Sequence, residues 1–483
     1  MIFETMLSFL LSCGDRTAYA YEGSRLTYRT MLSGAAACFA RICETGSRDP
    51  VVLYGHKEPY MKQAMLACLF AAVPYVPIDR AAPQKRVQAI LRQIHPQLVI
   101  GDLPDAPCPV FLPGHAPDGD ISSLTFRGRK PQDVCYILFT SGSTGVPKGV
   151  CVSYANLDTC VRWVRSLPQT TPACVLGQAC FSFDLSVADL YLSLLCGAEH
   201  AVLTREEMRS FPLLFRRLAD CGADTAVWTP SFAQLLLSDR SFSRSLLPQL
   251  RTILFCGEAL RPATVRRLAE RFPETQIFNC YGPTECTFAV TAARITAAHT
   301  ALERLPVGTA KPGVQIDVTD AQGNALEPGK TGEIRIAGDS VALGYLPPAN
   351  NSAFLQTPSG RAYRTGDCGY FRDGLLYVTG RQDRQIKLSG YRVEPAEIEN
   401  ALLTLPQVHA AAVLPRTAPD GTVLALQAFV CAAPEDRTSD RLRQALNALL
   451  PSYMIPRIRF VDRIPLTENG KLDTKALWET PAV

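Results

Sequence analysis

The stretch RTILFCGEALRPATVRRLAERFPETQIFNCYG, residues 251–282, reads as strand, helix, strand. Short apolar runs, RTILFCG and TQIFNCYG, flank the helical pattern PATVRRLAERF, and two strands joined through a helix lie parallel in one sheet. The same alternation extends outward. Upstream come VCYILFT from residue 134, a helix after Ser153, ACVLGQAC, the helix DLSVADLYLSLLC ended by Gly197, AVW and a helix near TPSFAQLLL; residues 51–79 repeat it with VVLYG, a helix and YVPID. The expected fold class is therefore α/β, a large N-terminal domain of helix-covered parallel sheets.

Downstream the pattern changes. From about 305 to 380 short β segments alternate with Gly and Pro turns, and near Arg381-Gln-Asp-Arg384 the chain turns charged and restarts as IKLSGYRVEPAEIENALLTL. Pro395 stands at a helix start, and Glu394, Glu397 and Glu399 suit its N-terminal dipole. Two β segments, the helix DRLRQALNALL and a last strand follow, before the loop Thr467-Glu-Asn-Gly-Lys-Leu-Asp473. This predicts an N-terminal domain of residues 1–382 and a small α+β domain of 383–483, the latter of ordinary domain size.

Composition narrows the function classes. Charged residues are 19% and apolar ones 47%, with a net charge of +4 over 483 residues. That is a globular protein's balance, and it argues against a nucleic-acid partner, whose affinity would need many more phosphate-neutralising charges. The 17 cysteines lie singly in apolar runs, without a Cys-x-x-Cys pair, as small buried hydrophobes of a reducing compartment. Six dispersed histidines offer no zinc spacing. The opening MIFETMLSFLLSC has no basic residues ahead of its apolar run, and no stretch of about 18 apolar residues could span a membrane. A cytoplasmic protein without membrane insertion is expected.

Three short stretches carry chemistry. Thr140-Ser141-Gly142-Ser143-Thr144-Gly-Val-Pro-Lys148-Gly offers free backbone N–H groups and a lysine, which is phosphate chemistry. Pro147 and a following strand do not suit a loop that opens a helix, so this one joins two strands as a flap; a plain polar hairpin is the alternative. In Asn279-Cys-Tyr-Gly-Pro-Thr-Glu285, Tyr281 could stack on a base, Thr284 could meet phosphate and Glu285 is a hard oxygen ligand for magnesium. In Tyr363-Arg-Thr-Gly-Asp367 the carboxylate could accept both hydrogen bonds of a ribose diol. Taken singly, the last two also read as turns.

Their order is more specific. TSGSTGVPKG, NCYGPTE, YRTGDCGY, GRQDRQIKLSGYRVEPAEIE and NGKLD, in that sequence, resemble the motifs of the adenylate-forming superfamily of acyl-CoA ligases, luciferases and amino-acid adenylation domains. The resemblance covers nearly the whole chain. It implies a large N-terminal and a small mobile C-terminal domain, ATP with Mg2+, and a nucleotide site drawn from residues 140–144, Lys148, Asn279, Tyr281, Gly282, Thr284, Asp367 and Arg381, with Glu285 on the metal. It implies Lys471 as the catalytic lysine of adenylation. Asp383 becomes the hinge, with Lys387 and Gly390 serving thioester formation.

Phe183-Asp-Leu-Ser-Val-Ala-Asp189 is similar to the amino-acid-activating branch, in which Asp184 would anchor the substrate ammonium; a helix N-cap is its alternative role. FSFDLSVADLYLSLL, TPSFAQ, ILFCGEAL, FNCYGPTECTFAVT and PSYMIPR resemble the stand-alone D-alanine:carrier-protein ligases of teichoic-acid D-alanylation. That likeness implies a small amino acid, D-alanine, lodged among Asp184, Leu185, Ala188, Cys256, Gly257 and Cys280, with the Cys256 sulfur confining it. The partner implied is a separate phosphopantetheinylated carrier protein. A stand-alone adenylation domain for another amino acid in peptide natural-product synthesis, or an acyl-CoA ligase, is the alternative. Ala188 stands where a bulkier residue is common in those ligases, and Tyr154 replaces a histidine frequent across the wider superfamily.

Overall fold

The computed structural model describes residues 2–113, 119–142, 146–358, 360–418, 422–466 and 472–482. They divide into two compact units. The first comprises Met1–Arg80, Ile94–Leu138 and Gly149–Gln382, the second Ala81–Gln93, Phe139–Lys148 and Asp383–Val483.

Among the described residues the first unit contains a nine-stranded sheet. Its six inner strands, Gln276–Tyr281, Thr252–Phe255, Thr225–Trp228, Cys174–Gly177, Glu199–Val202 and Thr17–Tyr21, run parallel. Ser24–Thr27 at one edge, and Thr291–Ile295 with Thr309–Ala310 at the other, are antiparallel. The inner strands are buried on both faces, so they show the continuous apolar runs of a covered parallel sheet rather than alternation. A seven-stranded sheet orders Tyr345–Leu346, Lys148–Ser153, Val134–Thr140, Tyr75–Asp79, Val51–Gly55, Leu98–Ile100 and Val110–Phe111. The β-rich stretch near 305–380 forms a separate five-stranded antiparallel sheet of Val314–Thr319, Gly332–Gly338, Phe354–Thr357, Gly360–Arg372 and Leu375–Arg381.

Helix ends follow their local chemistry. Ser153 closes a capping box with Asn156 ahead of the helix Tyr154–Ser166, and Thr229 accepts from the Phe232 N–H ahead of Pro230–Leu237. The helix Leu185–Cys196 is buried along its whole length and stops where Gly197 takes the left-handed conformation. All 17 cysteines are free thiols, 13 of them buried. Tyr154 is a core residue, its ring edge-on to Phe3 and its hydroxyl donating to the Leu69 carbonyl.

In the second unit Val408–Thr417 pairs antiparallel with Val423–Ala432, which pairs parallel with Arg457–Phe460. The helices Pro395–Leu403 and Ser439–Asn447 contribute Ile398, Leu402, Leu442 and Leu446 to its core. Glu397 stands in the first turn of the first of these helices, where its charge suits the helix dipole, and the glutamates there have other partners as well. Glu394 makes no cap bond, Glu397 pairs with the buried Arg86, and Glu399 binds Arg384 and the Val413 N–H.

Candidate active site

Open parallel sheets leave their binding crevice beyond the carboxyl ends of the strands. Cys256 follows the strand Thr252–Phe255, Tyr281 ends Gln276–Tyr281, and the chain reaches Asp184 from Cys174–Gly177. All three lie past the same end of the nine-stranded sheet.

Asp184 stands at the N-cap position of its helix with helical backbone angles and makes no side-chain cap bond. Its Oδ2 accepts from the Thr284 hydroxyl at 2.6 Å, so the cap role is not the one the side chain plays. Asp184 is 9% exposed. Leu185, Ala188, Cys256 and Cys280 fall in one apolar cluster with Ala179, Phe288 and Ala289. Burial pushes the Cys280 thiol well up, with the neighbouring Cys256 and Cys160 thiols adding to it, so it stays an uncharged wall group.

The turn that carries Thr284 and Glu285 is held under strain. After the short 3₁₀ turn Thr284–Cys286, Thr287 and Phe288 both take left-handed backbone angles, with φ of 60° and 71°. Such values are rare for β-branched and bulky residues, cost about 1–3 kcal/mol each, and collect at functional sites. The surroundings enforce them: Thr287 donates through its hydroxyl to the Ser340 carbonyl, and the Phe288 side chain is buried. The chain doubles back so closely that a Cβ at Gly282 would stand 2.7 Å from the Ala289 Cα.

Glu285 is fully buried and its Oε1 accepts from the Tyr345 hydroxyl at 2.5 Å. The Tyr345 and Tyr363 hydroxyls are 3.0 Å apart. A carboxylate oxygen donor of this kind fits a hard divalent cation such as Mg2+ and does not fit a soft metal.

Asp367 is opposite Arg381 across the hairpin of Gly360–Arg372 and Leu375–Arg381. Its Oδ1 accepts from the Arg381 guanidinium at 2.6 Å and its Oδ2 from the Tyr281 phenol at 2.7 Å. Tyr281, read from sequence as a stacking platform, is 5% exposed with its hydroxyl spent on Asp367, and burial together with that carboxylate holds its phenol well above the usual range. Each carboxylate oxygen keeps a further lone-pair direction for a hydroxyl ligand. Asn279 is committed elsewhere, its amide donating to the Pro306 carbonyl at 2.8 Å. Gly257 adjoins Cys256 with φ of 94°.

In the second unit the described part of the flap begins with Thr140, Ser141 and Gly142. The Ser141 hydroxyl donates to the Arg392 carbonyl at 2.7 Å, and Lys148 opens the strand Lys148–Ser153. Asp383 accepts from the Gln385 N–H, Lys387 lies in the strand Ile386–Leu388, and Gly390 sits in the tight turn before Tyr391–Val393. Ser143, Thr144 and Lys471 lie outside the described residues. The structure thus gathers Asp184, Thr284 and the apolar cluster, and separately Tyr281, Asp367 and Arg381. Sequence reading missed Tyr345 and the Tyr363 hydroxyl, because VALGYLPP carries no spacing that ties it to Glu285 until the sheets form.

These features define an adenylate-forming enzyme. The chain belongs to the AMP-binding enzyme family: residues 11–346 match that family's profile and residues 397–471 match the AMP-binding enzyme C-terminal domain. It is similar to the D-alanine–D-alanyl carrier protein ligase of Bacillus licheniformis, 38% identical over the full length of both chains. It is also similar to the ligase of the same name from Lacticaseibacillus paracasei, 38% identical over 96% of this chain and 95% of that one. Among solved structures it resembles holo-PA1221, an NRPS protein containing adenylation and PCP domains bound to a vinylsulfonamide inhibitor. That match has a TM-score of 0.84 and 26% identity, over 99% of this chain and 84% of that one.

Proposed function

We propose that this enzyme activates a small amino acid, D-alanine, with ATP and passes it to the phosphopantetheine thiol of a separate carrier protein. The observation that carries the reading is Asp184: a nearly buried carboxylate turned away from capping its own helix and held by Thr284, beside an apolar cluster that includes Ala188, Cys256 and Cys280. A desolvated carboxylate is the natural partner of a substrate ammonium. The relatives' names support D-alanine as that substrate and a D-alanyl carrier protein as the acceptor.

In this reading the amino-acid carboxylate attacks the α-phosphorus of ATP in line, and pyrophosphate leaves. Then the carrier thiol attacks the adenylate carbonyl, giving a thioester and AMP. The protein's task in the first step is alignment and charge stabilisation. Asp184 fixes the ammonium, the 140–144 loop with Lys148 receives the phosphates, and Asp367, held by Tyr281 and Arg381, receives the ribose hydroxyls. Glu285 would hold Mg2+, which neutralises phosphate charge when bound. Lys471 bridges the carboxylate and α-phosphate. Residues 1–382 act as the binding domain and 383–483 as the mobile one, turning at Asp383 so that the Gly390 loop and Lys387 serve the second step. The enzyme works in the cytoplasm.

Amino-acid-dependent ATP–pyrophosphate exchange tests this across D-alanine, L-alanine, glycine, serine, cysteine and larger amino acids of both hands. The expected result is exchange with D-alanine at the highest kcat/KM. Preference for another amino acid moves the enzyme to a peptide assembly line, and silence throughout rejects amino-acid activation.

A further inference from the structure

The carboxylate of Glu285 does not stand alone. It is fully buried, and a glutamate's terminal torsion is broad, so burial by itself does not decide where its two oxygens point. The Tyr345 hydroxyl decides it by donating to Oε1. A phenol has one proton. With that proton on Glu285, the 3.0 Å contact between the two phenols must run from Tyr363 to Tyr345. The result is a directed chain, Tyr363 to Tyr345 to Glu285, in which each bond polarises the next.

The chain is built rigidly. Phe354 packs against both rings, with centroids 5.1 Å from Tyr345 and 4.9 Å from Tyr363. The Tyr345 N–H donates to the Asn351 side chain, and the Ala342 N–H to the Glu285 carbonyl, so the backbones at both ends are fixed as well. The strand Tyr345–Leu346 also pairs with the strand that leaves the flap, Tyr345 opposite Val150 and Leu346 opposite Gly149.

The geometry points to Tyr345 as the positioning residue for Glu285, with Tyr363 behind it, the pair setting how tightly the site takes the divalent cation that accompanies the nucleotide. This rests on the reading of Glu285 as the metal-binding carboxylate. Partners that orient a metal ligand change metal affinity by roughly 10- to 100-fold when removed.

The test is a binding measurement. Free Mn2+ is followed by its paramagnetic resonance signal as it is titrated into the full chain with an ATP analogue blocked between the α- and β-phosphates. Tyr345→Phe keeps the ring against Phe354 and removes only the hydroxyl; it should weaken Mn2+ binding about 10-fold, with metal-free analogue binding and melting temperature near wild type. Tyr363→Phe should weaken it by a smaller factor. Glu285→Gln should abolish the tight site. Unchanged Mn2+ affinity in both tyrosine variants, with Glu285→Gln still disabling, overturns the positioning role alone; should Tyr345→Phe fail to fold, Tyr363→Phe decides. Retention of tight Mn2+ by Glu285→Gln overturns both the role of the tyrosines and the reading of Glu285 beneath it.

Discussion

At the scale of the residue, Asp184 shows how one side chain can be legible in type yet open in role. An aspartate ahead of a helix is a favoured cap, and only the bond to Thr284 in place of a cap bond separates the two roles. Asp184→Ala should therefore raise the KM for the amino acid by roughly 100-fold, given about 1.5–3 kcal/mol for a hydrogen bond to a charged group, while the KM for ATP and the melting temperature change little. A drop in melting temperature with an unchanged KM would return the residue to helix capping. Lys471, from the NGKLD motif, has a complementary expectation: Lys471→Ala abolishes pyrophosphate exchange but leaves thioester formation from supplied aminoacyl-adenylate intact. Equal loss of both steps would remove its assigned role.

Among the elements, the turn from Gly282 to Ala289 is tightly constrained. Two consecutive non-glycine residues in left-handed conformation and a 2.7 Å approach at Gly282 mean that the turn has no slack. Gly282→Ala pushes backbone against backbone, and the cheapest relief is displacement of Thr284 and Glu285, whose side chains hold Asp184 and meet Tyr345. Exchange activity should fall by about 100-fold, as misplacement of about 1 Å can cost, with far-ultraviolet circular dichroism unchanged. Wild-type turnover would show that the turn accommodates a methyl group and that its strain has no functional part.

At the scale of the whole molecule, buried charge sets how stability answers to pH and mutation. Lys62 is fully buried in the helix Pro59–Ala71, donating to the Ala18 carbonyl and the Ser193 hydroxyl, and burial pulls its ammonium down to about 7 against the opposing field of Asp189. Between that value and the usual lysine range near about 10.4 the unfolded chain binds a proton that the folded chain does not. This group's contribution to stability consequently rises with pH across that window and is lost as pH falls through it. Lys62→Met should flatten the rise of the denaturant midpoint between about pH 7 and 10; an identical slope in both proteins would reject the assignment. In the second unit Arg86 and Glu397 form a buried pair at 3.1 Å, with burial pushing Glu397 up to about 7 although Arg86 opposes it. Removing one partner strands the other, so Arg86→Ala should cost about 3–5 kcal/mol, whereas the double variant Arg86→Leu, Glu397→Leu should recover most of it. Equal losses in calorimetry would mean that the two side chains are not energetically coupled.

Periodicity and motif order sufficed for the α/β class, the parallel alternation and the family, because the alternation and each motif are local patterns written in consecutive residues. The short β segments from about residue 305 to 380 were legible for the same reason, while the hairpin register that sets Asp367 opposite Arg381 was not. Only the tertiary structure decided that Asp184 meets Thr284 across a hundred residues, that Asn279 serves the Pro306 carbonyl, that Glu397 faces Arg86, and that two tyrosines stand behind Glu285. A hydroxyl, an amide or a carboxylate carries no mark of its partner in the chain. Its role is settled by which donor or acceptor the packing of separate strands brings within about 3 Å, the reach of a hydrogen bond.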